Sequence, residues 1–250
     1  NFHLFVLQPS ELTKLSAIIY LSAWFSYKER GRFLAFLLLL GTLVGLVLLE
    51  PDLGTAFIII GVCLSVYFIS GAPLKQLLAL LPLSAVGVIG LALSAPYRFR
   101  RLTTFLDPSS DPLGASYHIR QILIALGSGG LFGVGLGKSR QKFSYLPEAT
   151  TDSIFAIIAE ELGFIGGAIL ILVFFLLIYR GFKISQKAPD SFGKLLASGI
   201  TCWIAIQTLV NLAAMVSLLP LTGIPLPFIS YGGSSLVVMM AACGILLNIE

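Results

Sequence analysis

SIFAIIAEELGFIGGAILILVFFLLIY, residues 153–179, decides the class of fold. Glu160 and Glu161 are its only charged side chains, and about 20 apolar residues in a helix cross the roughly 30 Å hydrocarbon core of a bilayer. The whole chain is similar in character, with 57% hydrophobic and 11% charged residues and a mean hydropathy of +0.96. Soluble globular chains carry roughly 25% charged residues. The composition therefore excludes a soluble globular protein and predicts an all-α polytopic membrane protein.

Further apolar stretches of similar length flank this one. The predicted spans lie near 12–27, 33–49, 55–70, 77–95, 153–179, 195–218 and 235–249. They predict about seven transmembrane helices in a single integral membrane domain, residues 1–250. The connections are short except for residues 96–152, and a loop of that length is usually functional.

Basic residues in the short loops predict the orientation, because Lys and Arg near span ends are retained in the cytoplasm. One side carries Lys28, Arg30, Arg32, Lys75, Arg180, Lys183, Lys187 and Lys194, and the short loops around Glu50 and Pro220 carry none. Loop 96–152 is therefore predicted to be extracytoplasmic, and Asn1 falls on the same side.

The long loop is itself basic, with Arg98, Arg100, Arg101, Arg120, Lys138, Arg140 and Lys142. An anionic ligand on the outer face would explain this excess. Nucleic acid is not expected, because the net charge of +4 is spread thinly between apolar runs and forms no stripe.

Two segments of the long loop have recognisable patterns. Residues 116–126, SYHIRQILIAL, predict a short amphipathic helix at the membrane interface. Residues 127–137, GSGGLFGVGLG, contain too many glycines for a helix interior. Their N–H groups are compatible with a phosphate cradle, but the segment matches no phosphate-binding motif in its proper setting. A turn that lets backbone approach a helix closely is the favoured interpretation.

Asp152 is the strongest candidate for chemistry, because it stands where the span at 153–179 begins. A helix N-terminal acid favoured by the dipole is the alternative. Glu148 is expected one turn earlier on the same face. Glu160 and Glu161 would lie more than about 10 Å further along at 1.5 Å per residue, as buried partners of neighbouring helices or loop backbone.

Glu11 and Lys14 share one face of the first span at i and i+3, where they can pair. They are either a functional pair facing a cavity or a structural ion pair. Glu50 and Asp52, in the turn EPDLGT, are interpreted as structural.

Residues 220–235, PLTGIPLPFISYGGSS, break the helical pattern and predict a re-entrant or surface loop that walls a site. Ser230 and Ser234 in this loop are candidate substrate contacts. His3 and His118 form no ligand spacing and are interpreted as incidental. The cysteines lie in apolar runs and are interpreted as packing residues.

Several motifs occur together and in order along the chain. They are QPSELTK (8–14), EPDLGT (50–55), FLDPSSDPLG (105–114), GSGGLFG (127–133), YLPE (145–148) with Thr151-Asp152, AEELGF (159–164) and PLPFISYGGSS (225–235). With them the chain resembles the SEDS family (shape, elongation, division and sporulation), whose members FtsW and RodA polymerise peptidoglycan. SRQK at 139–142 and GILLNI at 244–249 look more like FtsW than RodA.

The resemblance implies a chain of about ten spans with both ends cytoplasmic, so that this chain is expected to be the C-terminal part. It implies a multi-pass protein of the bacterial (or plastid-type) cytoplasmic membrane. The chain departs from the family pattern at Thr150 and Ser153, where His and Phe are usual, and at His118, where Gln is usual.

The activity implied is an inverting glycosyl transfer from lipid II with release of undecaprenyl pyrophosphate, in cell division. Asp152 would be the general base, and Lys14, Arg98 and Arg101 would bind pyrophosphate. Glu11 would orient Lys14, and Glu148, Arg140 and Lys142 are further substrate-binding candidates. No cofactor is certain, and a divalent cation near Glu148 or Asp152 is compatible with the sequence without being required by any spacing.

The implied partners are a class B penicillin-binding protein (a transpeptidase), other divisome proteins and membrane lipids. Two other functions stay open: a lipid II flippase without chemistry, and a non-catalytic scaffold of the division complex. The candidate acids lie at one end of the spans, whereas transporter sites usually lie near the midplane.

Overall fold

The structure is a computed structural model that describes residues 8–27, 32–50, 52–76, 78–80, 104–105, 116–144 and 146–249. All regular elements in these ranges are helices. The helices with defined bounds are α1 (Pro9–Ser26), α2 (Phe33–Leu49), α3 (Leu53–Ile69), α4 (Tyr117–Ser128), α5 (Gln141–Ser144), α6 (Ile154–Lys187), α7 (Ser191–Met215) and α8 (Gly233–Ile249).

The helices follow the predicted apolar stretches closely. The bounds of α2 agree with the prediction, and α4 confirms the short helix predicted over the segment 116–126. By length and composition, α6 and α7 qualify as membrane-crossing helices, while α2, α3 and α8 are shorter apolar helices. The count of seven spans stays a prediction, and the stretch 77–95 lies almost wholly outside the described residues.

The chain divides into two compact units. The first comprises Asn1–Leu80, Phe175–Gln207 and Gly232–Glu250, and the second comprises Leu81–Phe174 and Thr208–Tyr231. In the first unit α1 packs against α3 and α8, and α2 packs against α3.

Aromatic packing forms part of the core of the first unit. The rings of Phe36 and Tyr67 stack with centroids 4.4 Å apart, and Phe25 meets Tyr67 at 5.3 Å. The Asp52 carboxylate accepts a 2.9 Å hydrogen bond from the N–H of Thr55 and so caps α3. The structural interpretation of this turn is confirmed for Asp52.

Close backbone contact is the main feature of the glycine-rich segment 127–137 in the second unit. α6 contains a break at Gly163, whose φ of 70° suits glycine. The N–H groups of Val134 and Gly135 donate to the carbonyls of Glu160 and Glu161, each at 3.0 Å. A Cβ on Gly133 would collide with the carbonyl oxygen of Glu161. The predicted close approach to a helix is confirmed, and these two N–H groups are occupied by carbonyls.

Candidate active site

Asp152 lies in a turn that immediately precedes α6. The residue is buried, at 7% exposure. Its Oδ1 has hydroxyl donors only at long range, Thr151 at 3.4 Å and Ser153 at 3.5 Å. Within the described ranges, no hydrogen bond joins this carboxylate to an N–H of the first turn of α6. The carboxylate is therefore not used as a helix cap and remains available as a base.

The expected position of Glu148, one helical turn before Asp152, is wrong. Glu148 does not share a helix face with Asp152, because α6 begins only at Ile154 and Glu148 itself has a φ of 49°. Its Oε2 accepts from the Thr151 hydroxyl at 2.8 Å. Since a hydroxyl has one proton to donate, the shorter bond to Glu148 leaves Asp152 weakly bonded.

Three consecutive backbone carbonyls hold the turn in place. The Thr150 carbonyl accepts from the N–H of Tyr231 at 2.8 Å, and the Thr151 carbonyl accepts from the Ser230 hydroxyl. The Asp152 carbonyl accepts from Asn211 Nδ2 at 2.8 Å. We call these three hydrogen bonds the carbonyl clamp. It attaches the turn to α7 and to the segment 220–231.

Asn211 is a residue that sequence reasoning missed. It is 1% exposed, and its amide also donates to the carbonyl of Ile224 at 2.8 Å. Both protons of one side chain thus join Asp152 to the irregular segment. A polar residue within the apolar run 195–218 was the available signal. Ser230 is occupied as well, since its oxygen accepts from the N–H of Leu226 at 2.7 Å.

Burial raises the pKa of the Asp152 carboxyl above its ordinary value. Positive charge on His118 opposes this rise, and the negative charge of Glu148 adds to it. A carboxylate with a raised pKa is a stronger base, and it remains useful as long as it is ionised at the working pH.

His118 is therefore not incidental. Its Nε2 lies 2.8 Å from the Ser153 hydroxyl, next to Asp152. His118 and Ser153 are two of the positions at which the chain departs from the resembled family pattern, and they contact each other. No sequence motif could predict this contact, because the two residues are 35 positions apart. His3 lies outside the described residues.

Glu160 and Glu161 bind the segment that follows the glycines. Glu160 Oε2 accepts from the Ser139 hydroxyl at 2.5 Å, and its Oε1 accepts from the N–H of Arg140 at 3.2 Å. Glu161 accepts from the N–H of Ser139 and pairs with Lys142 Nζ at 3.0 Å. The expectation that these acids bind loop backbone is confirmed. Lys142 therefore has an acidic partner, and the side chain of Arg140 is exposed.

Glu11 and Lys14 form a buried cluster in the first unit. Lys14 Nζ lies 2.7 Å from Glu11 Oε1 and 3.2 Å from Gln207 Oε1, and it stands over the Trp203 ring at 5.1 Å from the centroid. Trp203 Nε1 donates to the same Gln207 oxygen at 2.8 Å. The predicted pairing is confirmed. Glu11 Oε2 has no partner among the described residues.

The remaining predicted site residues are placed as follows. The hydroxyl of Ser234 accepts from the N–H of Gln8 at 3.1 Å in the first unit. Arg98 and Arg101 lie outside the described residues. Within the part of the chain that the structure describes, no three His, Cys, Asp or Glu side chains are grouped to hold a metal ion.

Comparison with known proteins gives consistent matches. The family model FTSW_RODA_SPOVE, described as "Cell cycle protein", matches residues 1–250. Stage V sporulation protein E of Bacillus subtilis is 47% identical over 98% of this chain and 69% of its own length. The probable peptidoglycan glycosyltransferase FtsW of Aliivibrio salmonicida is 44% identical over 99% of this chain and 64% of its own length. The chain thus spans about two thirds of these relatives.

Solved structures agree with the sequence matches. One, described as "Structural coordination of polymerization and crosslinking by a peptidoglycan synthase complex", superposes with a TM-score of 0.81 at 30% identity, covering 99% of this chain and 70% of the other. The rod shape determining protein RodA of Thermus thermophilus gives a TM-score of 0.65 at 32% identity, covering 96% and 64%.

Proposed function

Since the chain belongs to the FtsW, RodA and SpoVE family of cell cycle proteins, which is the SEDS family, we propose that it is a peptidoglycan glycosyltransferase acting in the bacterial cytoplasmic membrane. It polymerises glycan strands by transferring the lipid-linked disaccharide-peptide of lipid II onto a growing chain. Relatives named for this activity support the assignment. We propose that it acts in cell division, a role supported by the family description "Cell cycle protein" and by relatives that carry the name FtsW.

The buried Asp152 carboxylate is the observation that carries the proposal. In the proposed step the 4-hydroxyl of one sugar attacks the anomeric carbon of another with inversion. Asp152 takes the hydroxyl proton as the new O–C bond forms and the bond to pyrophosphate breaks. The leaving group departs as undecaprenyl pyrophosphate with the bond electrons, so one base suffices. The weak hydrogen bonding of Oδ1 supports this role, since strong donors would make a carboxylate a poorer base.

The basic residues predicted from the sequence are proposed to bind the pyrophosphate. Arg98, Arg101 and Lys14 supply charge-assisted hydrogen bonds to its oxygens, and Arg140 adds an exposed cation in the same loop. Glu11 holds Lys14 at 2.7 Å. The loop 96–152 faces the cell exterior in this proposal, and a class B penicillin-binding protein crosslinks the product.

A second function, lipid II movement across the membrane without chemistry, shares the same substrate. A non-catalytic scaffold is the third candidate. The carbonyl clamp favours an enzyme, because three separate donors hold a base-bearing turn in one geometry. A carrier or a scaffold has no need of a fixed base.

The intact protein that contains this chain, purified and supplied with lipid II, separates the three functions. Glycan strands identify a polymerase, and vectorial movement of lipid II in vesicles without strands identifies a flippase. If neither product forms while a penicillin-binding protein is still retained, the protein is a scaffold and the proposal fails.

A further inference from the structure

The imidazole of His118, on α4, reaches the turn that carries Asp152. His118 Nε2 and Ser153 Oγ are 2.8 Å apart, and Ser153 Oγ lies 3.5 Å from Asp152 Oδ1. We propose that His118 is a positioning residue for Asp152: through the Ser153 hydroxyl it orients the carboxylate, and it supplies the positive charge that keeps the carboxylate ionised. This inference rests on the proposed function of Asp152 as the base.

The direction of the hydrogen bonds follows from the protonation of the imidazole. A doubly protonated imidazole can only donate, so Ser153 Oγ must accept from it. The single proton of Ser153 is then free to point to Asp152 Oδ1. Ser153 is 0% exposed, so water does not compete for this proton at its surface. A protonated His118 therefore turns the Ser153 O–H toward Asp152. A hydrogen bond donated by that hydroxyl favours the ionised form of the carboxylate.

The other groups around Asp152 do not duplicate this charge within the described ranges. Glu148 is an acid and acts in the opposite sense. Asn211 on α7 and Ser230 and Tyr231 in the segment 220–231 are neutral contacts of the turn backbone. Arg120 on α4 is exposed to solvent, where screening weakens its field. Among these described groups, His118 is the one whose positive charge lowers the carboxyl pKa of Asp152.

A pH dependence follows from this arrangement. The base works only when ionised, so activity falls as the pH drops through the pKa of Asp152. Removal of the positive charge at His118 raises that pKa, so activity is lost at a higher pH. An opposite charge within about 4–6 Å commonly lowers a carboxyl pKa by about 1–3 units, and here the Ser153 hydroxyl lies between the imidazole and the carboxylate. We expect the acidic limb to move up by about one pH unit, or roughly tenfold in rate on the limb.

The experiment compares pH profiles of lipid II polymerisation by the intact protein and three variants. His118→Gln keeps a polar group that can reach Ser153 but removes the charge. Ser153→Ala removes the intervening hydroxyl at little steric cost. Arg120→Gln removes a cation from the same helix and should leave the acidic limb in place. Melting temperatures accompany every profile.

An upward shift of the limb in His118→Gln, and a smaller one in Ser153→Ala, support the proposal. Rates that fall by the same factor at every pH, in step with melting temperature, would show a structural role and overturn it. A shift in Arg120→Gln as large as that in His118→Gln would also overturn it.

A second measurement separates this inference from the proposed function. Infrared titration of the Asp152 carboxyl band, assigned by difference against Asp152→Asn, reports its ionisation without turnover. An intact protein that makes no glycan would end the polymerase proposal, yet the band would still move to higher pH in His118→Gln if the inference holds. An unmoved band contradicts the inference even in an active enzyme.

Discussion

Asn211→Leu should inactivate the enzyme by loosening the turn that carries Asp152. The change keeps the branched shape of the side chain and removes two 2.8 Å hydrogen bonds, one to the Asp152 carbonyl and one to the Ile224 carbonyl. Both acceptors lose their donor at a buried site. A buried polar group left unsatisfied costs about 1–3 kcal/mol, so the two acceptors together predict a loss of about 2–6 kcal/mol in the free energy of unfolding.

The effect on rate should exceed what the stability loss explains. Ser230 and Tyr231 still hold the two preceding carbonyls, so the turn persists while the position of Asp152 relaxes. Misplacement of a catalytic group by about 1 Å can cost about 10²-fold. We expect polymerisation by the folded fraction to fall at least tenfold, measured with lipid II below the melting temperature of the variant.

Thr208→Val is the matched control for Asn211→Leu. Thr208 lies one turn earlier on α7 and is 2% exposed, and its hydroxyl has no partner among the described residues. Its replacement by an isosteric apolar residue should be neutral or slightly stabilising. Wild-type activity and melting temperature in Asn211→Leu would refute the clamp as the determinant of Asp152 geometry.

Two further predictions concern the buried pair and the topology. Lys14→Ala and Glu11→Ala each leave one buried charge without its partner. The free energy of unfolding, measured from melting curves in detergent, should therefore fall by about 3–5 kcal/mol in both variants. If Lys14 also binds pyrophosphate, activity per folded molecule should fall further in Lys14→Ala than in Glu11→Ala, and equal activity loss would remove Lys14 from the binding site. Cysteines replace the exposed residues Lys138 and Gln186 one at a time in a background without native cysteines. An impermeant thiol reagent applied outside intact cells should label position 138 and not position 186. Labelling at Gln186 but not Lys138 would invert the predicted topology.

The helices and the acid that precedes α6 could be predicted because their signals are local. Apolar runs give the helices, and Asp152 stands at the end of one of them. The glycines of the segment 127–137 likewise predict close backbone contact, and the contact is made with α6 around its break at Gly163.

The surroundings of Asp152 could not be predicted because they depend on contacts between distant residues. Asn211 reaches Asp152 across 59 positions, and Ser230 reaches Thr151 across 79. Asn211 belongs to none of the motifs, and the motif that contains Ser230 predicted a wall of the site but not the contact with Thr151. Glu148 was misplaced for a related reason: the interval of four residues looked helical, but the positive φ of Glu148 places it before the helix.

The central claim is that Asp152 is the base of a glycan polymerase, and one comparison tests it most directly. Glycan formation from lipid II is measured with the intact protein, with Asp152→Asn, and with Asp190→Asn as a matched change of acid to amide. Asp190 is exposed, and its carboxylate accepts a 3.2 Å hydrogen bond from the N–H of Gly193, which an asparagine side chain can also accept. We predict a fall of about 10²–10⁴-fold for Asp152→Asn with normal insertion and melting, and no change for Asp190→Asn. Full polymerase activity in well-folded Asp152→Asn would contradict the account.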